Sequence, residues 1–301
     1  MEHYRSLNTY LRERFGEKVY KLALDGGFSC PTRDGRLDTR GCIFCLDGSG
    51  DFAIPVDNDI PAAIVRAKSM VAGKGGKKYI AYYQSYTGTY APLERLRYLY
   101  SETIAQPDIA VLAIATRPDC LPEKVISLLA EMNKIKPVWI ELGLQTIHAA
   151  TADYIRRGYT LDVYNDAVRR LNCAGIEVIA HMILGLPGET ENMMQQTAAY
   201  IGRSGADGIK FQLLHVVKGT ELAADYEAGK FRVLSLEEYI RILEKCVESI
   251  PPEMVVHRLT GDGAKRNLIA PLWSADKKTV INAISHAFER DMIRQGKNYT
   301  G

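Results

Sequence analysis

The chain has 301 residues, of which 47% are hydrophobic and 25% charged, with a formal net charge of +2 at pH 7. These values are typical of a soluble globular protein with one large domain or two small ones. No run of eighteen apolar residues occurs, which argues against a membrane-spanning helix, and Met1–Arg5 does not open a signal peptide. We therefore expect a cytoplasmic protein with no membrane partner and with reduced thiols.

Short apolar runs alternate with amphipathic stretches along most of the chain. The strand-like runs are Val19–Leu24, Lys78–Gln84, Ala110–Thr116, Val138–Gln145, Glu177–Leu184 and Gly208–Leu214. The helix-like stretches are roughly 57–73, 92–105, 122–134, 148–174 and 189–204. Repeated strand–helix units predict parallel strands with right-handed crossover helices, so that all strand C-terminal ends share one rim. Because six units cannot close an eight-stranded barrel, we predict an α/β fold, a partial (β/α)6 TIM-like barrel with an open side.

The last part of the chain departs from this alternation. It contains a helix-like stretch at 235–249, a strand-like run Met254–Leu259 and a helix-like stretch at 276–294. We interpret residues 1–220 as the barrel core that carries the metal site. Residues 221–301 are then a C-terminal α/β extension that covers the open side of the barrel.

Three cysteines, Cys30, Cys42 and Cys45, lie just after the first predicted strand. Three thiolates can hold three corners of a cubane 4Fe-4S cluster and leave one iron free to bind a small molecule. A structural zinc site would need a fourth Cys or His at short spacing, and none follows. The pattern favours the cluster, with zinc and incidental buried thiols as the alternatives. The remaining cysteines, Cys120, Cys173 and Cys246, are expected to be packing residues.

Several motifs across nearly the whole chain share one resemblance. They are Phe15–Cys45, Gln84–Pro92, Gly143–Thr146, Arg156–Tyr159, His181–Glu189 and His257–Gly263. Together they resemble the radical S-adenosylmethionine (SAM) superfamily, and within it the YhcC/YtqA-type branch, which is similar to the radical domain of the elongator catalytic subunit. The gap of eleven residues between Cys30 and Cys42 is typical of that branch. One departure is Thr32, where the branch usually has Asn.

The resemblance implies two cofactors, a 4Fe-4S cluster on the three cysteines and SAM on the free iron. Reductive cleavage of SAM would release methionine and a 5′-deoxyadenosyl radical, which abstracts hydrogen from the substrate. The cofactors carry this chemistry, and no catalytic acid–base pair is implied. The electron would come from a flavodoxin- or ferredoxin-type partner.

The cofactor-binding candidates follow strand C-terminal ends, where barrel enzymes keep their chemistry. The resemblance suggests Gln84 and Thr87 for the methionine amino group, and Gln145 for the ribose. Arg157 would pair with the methionine carboxylate, with Arg156 as the competitor.

Three apolar residues complete the cofactor set. Ile183 and Leu184 would form a wall for the adenine. Phe44, beside Cys45, would contact the adenine or cover the cluster, and a plain hydrophobic plug is the alternative.

Two groups of residues are candidates for substrate contact. Lys210 and Gln212 alternate onto one face of the sixth strand, and a buried lysine in a barrel needs a partner or a ligand. His257, Arg258 and Asp262 follow from the resemblance, the alternative being a turn stabilised by Asp262.

The resemblance makes tRNA the expected substrate, modified at the C5 side chain of the wobble uridine. A specific reaction would be trimming carboxymethylaminomethyl-uridine to aminomethyl-uridine. The modest charge and the lack of a dedicated RNA-binding domain argue against it. The alternatives are a radical SAM enzyme for a small carboxylate-bearing metabolite and a non-catalytic cysteine-cluster or zinc protein.

Overall fold

The computed structural model describes residues 2–46, 53–56, 59–261 and 265–301. The strands of this part of the chain are β1 (Val19–Asp25), β2 (Ile54–Pro55), β3 (Lys78–Tyr83), β4 (Ile109–Thr116), β5 (Val138–Gln145), β6 (Glu177–Leu184), β7 (Gly208–Leu213), β8 (Val216–Val217), β9 (Val255–Arg258) and β10 (Leu268–Ala270). The α-helices are α1 (Leu7–Phe15), α2 (Ile60–Ser69), α3 (Leu93–Ala105), α4 (Glu123–Asn133), α5 (Ala149–Tyr154), α6 (Leu161–Cys173), α7 (Glu191–Arg203), α8 (Glu221–Glu227), α9 (Leu236–Glu248) and α10 (Lys277–Arg290).

Eight of these strands form one sheet in the order β2-β1-β3-β4-β5-β6-β7-β9. Every neighbouring pair in it is parallel, so all strand C-terminal ends lie on the same rim. The six predicted strands occupy six consecutive places in the sheet, from β1 to β7. The predicted partial TIM-like barrel is therefore confirmed.

The sheet is buried on both faces, as a parallel sheet with crossover helices requires. Its outer face packs against the helices and forms the main hydrophobic core. Its inner face is apolar at the base, where Val111, Trp139 and Ile179 meet Leu11 of α1. Helix α1, which the sequence analysis did not predict, thus closes the base of the barrel and leaves the rim as the entrance.

The C-terminal segment continues the sheet. Strand β9 pairs in parallel with β7, and Val256 also bridges to Ser6 near the N-terminus. Helix α9 packs against α7, and α10 packs against α9. The division into a core at 1–220 and an extension at 221–301 stays a prediction. Within the described residues, no helix combines the length and apolar character that crossing a bilayer requires.

Candidate active site

A cavity of about 440 Å³ opens at the rim formed by the strand C-terminal ends. Most of the predicted site residues line it: Cys30, Cys42, Phe44, Cys45, Gln84, Thr87, Gln145, Arg157, Ile183, Lys210, Gln212 and Arg258. Its volume is in the range of pockets that enclose one small ligand or cofactor. Chemically different side chains from distant parts of the sequence therefore meet in a single space.

The cysteine loop at 41–45 is fixed by backbone contacts on two sides. The amide of Ile43 donates to the carbonyl of Ile155 at 3.3 Å, and the carbonyl of Ile43 accepts from the amide of Leu222 at 3.0 Å. Arg33 donates to the carbonyl of Cys45 at 2.7 Å. Ordered backbone on both sides positions the thiols before any ligand binds.

The thiols suit an iron–sulfur cluster. A hydrogen bond with Cys45 lowers the pKa of Cys42 to about 7 against the opposing effect of burial, and Arg117 and Arg33 add to the lowering. The hydroxyl of Thr32 lies 3.0 Å from the Sγ of Cys30. No three Cys, His, Asp or Glu side chains in the described ranges converge as a single-ion site requires. A cubane cluster does not require the thiolates to converge on one point, because each thiolate binds a different iron.

Gln145 is aimed into the cavity by an irregularity of β5. Gly143 pairs with His181 and Gln145 with Met182, so Leu144 is skipped and the strand bulges. Gln145 has a φ of 66°, and its buried Oε1 has no hydrogen-bond partner. Bulges beside active sites re-aim side chains, and an orphaned buried oxygen indicates a missing ligand. This acceptor fits the hydroxyl groups of a ribose.

The structure separates the two competing arginines. Arg157 lines the cavity, and its guanidinium donates to the carbonyls of Leu144, Thr146 and Tyr159 at 2.5 to 3.1 Å. Arg156 points away, making two hydrogen bonds of 2.6 Å to Glu221 and one of 2.9 Å to the carbonyl of Gly41. Arg156 therefore helps to fix the cysteine loop, and Arg157 is the one placed to meet a ligand.

The apolar wall contains only part of the predicted set. Phe44 and Ile183 line the cavity and pack in one cluster with Ile43 and Leu214. Leu184 does not line it. Side chains alternate along β6, so Leu184 faces outward and is fully buried in the main core.

The floor of the cavity is a buried charged network centred on Glu141. The Glu141 carboxylate accepts hydrogen bonds from Lys21 at 2.9 Å, from His181 at 2.9 Å and from Lys210. The Tyr82 hydroxyl lies 3.3 Å from the Lys210 ammonium. Burial alone would raise the pKa of Glu141, but the two lysines hold that pKa well below its usual value.

Three nitrogen-bearing side chains, those of His181, Lys210 and Arg258, form a row across the sheet near Glu141. His181 pairs in register with Lys210, and Lys210 with Arg258. Burial, with Lys210 adding, lowers the pKa of His181 to about 4, so the ring is neutral near pH 7. The Gln212 side-chain amide lies 3.1 Å from Nδ1 of His181 and donates to it, which leaves the proton on Nε2 facing Glu141.

One predicted substrate residue, His257, does not line this cavity. The register of β9 skips His257, so the ring sits one layer lower, with its centroid 5.4 Å from that of Trp139, and does not line the cavity. Asp262 lies outside the described residues. Of the other cysteines, Cys120 and Cys246 are buried as predicted, whereas Cys173 is exposed at the end of α6, so its assignment to packing was wrong.

The residues that organise the floor were not predicted from the sequence. Glu141 and Lys21 were not singled out, although both are charged residues inside otherwise apolar strands. A charge in a buried strand requires a partner. Matching these two opposite charges as partners inside the barrel would have predicted the network from the sequence.

Comparison with known proteins agrees with this geometry. A profile of the Radical SAM superfamily matches residues 39–201, and one of the Radical_SAM C-terminal domain matches residues 206–290. The chain therefore belongs to the radical SAM superfamily, whose members use a 4Fe-4S cluster and SAM. It is a radical SAM enzyme.

Individual proteins of similar sequence show which members of the superfamily this chain resembles. YtqA of Bacillus subtilis is 45% identical over 98% of this chain and 92% of its own length. YhcC of Escherichia coli is 38% identical over 89% of this chain and 87% of its own length. A tRNA uridine(34) acetyltransferase of Methanocaldococcus jannaschii is 29% identical over 52% of this chain and 29% of its own length.

One solved structure shares most of the fold. Elp3 of the archaeon Methanocaldococcus infernus, with an N-terminal deletion, has a TM-score of 0.71 at 17% sequence identity. The similarity covers 92% of this chain and 64% of that chain. At this identity the likeness shows a common fold.

Proposed function

We propose that this radical SAM enzyme modifies tRNA at the C5 side chain of the wobble uridine, trimming carboxymethylaminomethyl-uridine to aminomethyl-uridine. The observation that carries the proposal is the 161-residue match to a tRNA uridine(34) acetyltransferase. Because the match spans 29% of that protein, acetyl transfer is not part of the proposal. Modification of tRNA further places the enzyme in the cytoplasm, with a flavodoxin- or ferredoxin-type protein as electron donor.

The cavity residues have distinct roles in this proposal. Cys30, Cys42 and Cys45 hold the cluster. Gln84 and Thr87 would bind the methionine amino group, Gln145 the ribose, and Arg157 the carboxylate. Phe44 and Ile183 cover the adenine. When bound, the cluster and SAM would supply the 5′-deoxyadenosyl radical that abstracts a hydrogen atom from the carboxymethyl carbon. Loss of a second electron from that carbon, with the oxidised cluster as acceptor, and addition of water would break its bond to nitrogen and release the group as glyoxylate.

The Gln145→Gly variant is expected to be at least as stable as the wild type but to bind SAM about fivefold more weakly. Glycine relieves the positive φ and removes a buried acceptor that has no partner, each worth about 1 kcal/mol or more. Loss of the amide removes a hydrogen bond to the ribose, also about 1 kcal/mol. Calorimetric SAM binding and a thermal unfolding midpoint check the two expected effects. Gln195→Gly, on α7 outside the cavity, is the control for SAM affinity. Unchanged SAM affinity would remove Gln145 from the cofactor site.

The function is tested by mass spectrometry of nucleosides from the tRNA of a deletion strain. We expect carboxymethylaminomethyl-uridine to accumulate and aminomethyl-uridine, with anything made from it, to disappear. Complementation with the wild-type gene should restore the profile, whereas complementation with Cys42→Ala should not. An unchanged wobble-uridine profile would rule out the proposed substrate.

A second candidate, a small carboxylate-bearing metabolite, is favoured by one observation. The floor of the cavity presents Lys210 and Arg258 against a single carboxylate, that of Glu141. Metabolite profiles of the same deletion strain distinguish the two candidates, because an accumulating free carboxylate with unaltered tRNA would favour this one. A non-catalytic role is not retained, since the chain belongs to an enzyme family and its cysteines share a cavity with Gln145 and Arg157.

A further inference from the structure

The floor of the cavity has more positive than negative charge. Lys21 and Lys210 contact Glu141, Arg258 lies beside Lys210 on the next strand, and Glu141 is the one carboxylate among the described residues that line the cavity. Its side chain is fully buried, and that of Lys210 is 4% exposed. His181, the fourth neighbour, is neutral at pH 7 and adds no charge. Among the described residues of the floor, two lysines therefore share this one carboxylate.

An arrangement of this kind is stabilised by an anion. A charge held away from water is costly unless an opposite charge compensates it. Burial lowers the pKa of Lys210 well below its usual value, with Glu141 opposing the shift, so a further anion beside the ammonium would stabilise its charged form. The same floor offers no surplus acceptor to a cationic ligand, because Glu141 already accepts from two lysines and a histidine.

The positions of the cations suit a carboxylate. Lys210 and Arg258 pair in register on two neighbouring strands, and both line the cavity. The backbones of neighbouring strands lie about 4.8 Å apart. A donor from each side chain can therefore reach a separate oxygen of one carboxylate. The floor lies beneath Gln145 in the barrel, since Glu141 precedes Gln145 by four residues on β5. A ligand that reaches the floor must therefore pass the proposed cofactor positions. The narrow end of a modified base's side chain can do so, whereas an RNA backbone is too wide.

We propose that Lys210 and Arg258 form a subsite for a terminal carboxylate of the substrate, with Glu141 and His181 fixing Lys210 in place. The inference rests on the proposed function and deepens it, since the carboxymethyl group of the modified uridine would be the part that is bound. The subsite would distinguish the carboxylate-bearing side chain from the aminomethyl product. Substrate selection and product release would then depend on the same pair of cations.

The first experiment measures binding by calorimetry to the anaerobic holoenzyme with SAM. The probes are the nucleoside 5-carboxymethylaminomethyluridine and its methyl ester, which lacks the negative charge. We expect the acid to bind at least about tenfold more tightly than the ester, as charge-assisted hydrogen bonds do. In Lys210→Met this preference should fall below about threefold while ester binding stays nearly constant. Lys230→Met, which removes an exposed lysine paired with Asp225, is the control and should retain the preference.

Equal affinity of the wild type for acid and ester would overturn the subsite. If Lys210→Met does not fold, Arg258→Gln provides the same comparison, since Lys210 keeps its contact with Glu141. A preference retained in both variants would likewise overturn it.

A second measurement does not depend on the identity of the substrate. Crystals of the holoenzyme soaked in bromide should show an anomalous peak beside Lys210 and Arg258, and the peak should be lost in Lys210→Met. If tRNA nucleosides are unchanged and the probe nucleosides do not bind, the proposed function fails while the bromide peak supports the anion subsite. Altered tRNA nucleosides without the peak and without the acid preference would leave the proposed function standing and remove the subsite.

Discussion

Alanine at Cys30, Cys42 or Cys45 is expected to abolish the release of 5′-deoxyadenosine from SAM by the reconstituted, reduced enzyme. The three thiols line one cavity, and the loop that carries Cys42 and Cys45 is fixed by backbone hydrogen bonds to Ile155 and Leu222. With three protein ligands in all, the loss of one leaves two irons without a thiolate. We expect iron and sulfide content to fall together with activity in each variant.

Cys173→Ala is the matched control for this series. Cys173 is exposed on α6, away from the cavity, so its loss should change neither iron content nor deoxyadenosine release. Product is measured chromatographically and cluster content by iron analysis and absorbance, all without oxygen. If one of the three variants kept full iron and normal turnover, that cysteine would not be a ligand. A wild-type protein that bound zinc and no iron would contradict the cluster as a whole.

The fold was predictable because parallel strands and crossover helices have strong sequence signals. The predicted strand Val138–Gln145 agrees with β5 to the residue, and Glu177–Leu184 agrees with β6. Helix α1 was not predicted, because a stretch of nine residues with one fully buried side chain, Leu11, gives a weak signal even though Leu7, Tyr10, Leu11 and Phe15 recur at helical spacing. Its packing at the base of the barrel depends on strands that come later in the chain.

The site was predictable only in part, for a geometric reason. Strands buried on both faces read as continuous apolar runs, so the sequence alone does not show which residues face the interior. Leu184 was therefore placed on the cavity, whereas it faces the outer core. Bulges add a second ambiguity. The register skips Leu144 and His257, which turns Gln145 into the cavity and lowers His257 beneath it. No residue type in those two segments indicates that the strand contains an extra, unpaired residue.

Glu141→Gln is expected to destabilise the protein by about 3 to 5 kcal/mol, because removing one member of a buried ion pair leaves the other uncompensated. Lys210 is almost wholly buried, and without Glu141 its ammonium must either stay uncompensated or give up its proton, each of which costs free energy. For a chain of this size, we expect the thermal unfolding midpoint at pH 7.5 to fall by on the order of 10 °C. Asp166→Asn, which removes the exposed partner of Arg169 and Arg170, should leave the midpoint unchanged.

The pH dependence of the same variant has a definite sign. The folded protein holds the pKa of Glu141 well below its usual value, so the unfolded chain binds that proton more readily. Glu141 therefore contributes stability above its unfolded pKa of roughly 4.3, and that contribution is lost as the pH falls further. The difference in midpoint between wild type and Glu141→Gln should shrink on acidification below this value. His181, whose lowered pKa gives stability that is lost as pH falls from 6.5 towards about 4, is present in both proteins.

A double variant distinguishes lost charge compensation from lost packing. If the cost of Glu141→Gln comes from an uncompensated ammonium, adding Lys210→Met should recover part of the lost stability, since a methionine needs no counter-ion. The two effects would then be strongly non-additive, as expected for residues in direct contact. Additive losses, or a Glu141→Gln protein as stable as the wild type at pH 7.5, would show that Glu141 does not hold the lysines. The charged floor would then lack the carboxylate on which its arrangement depends.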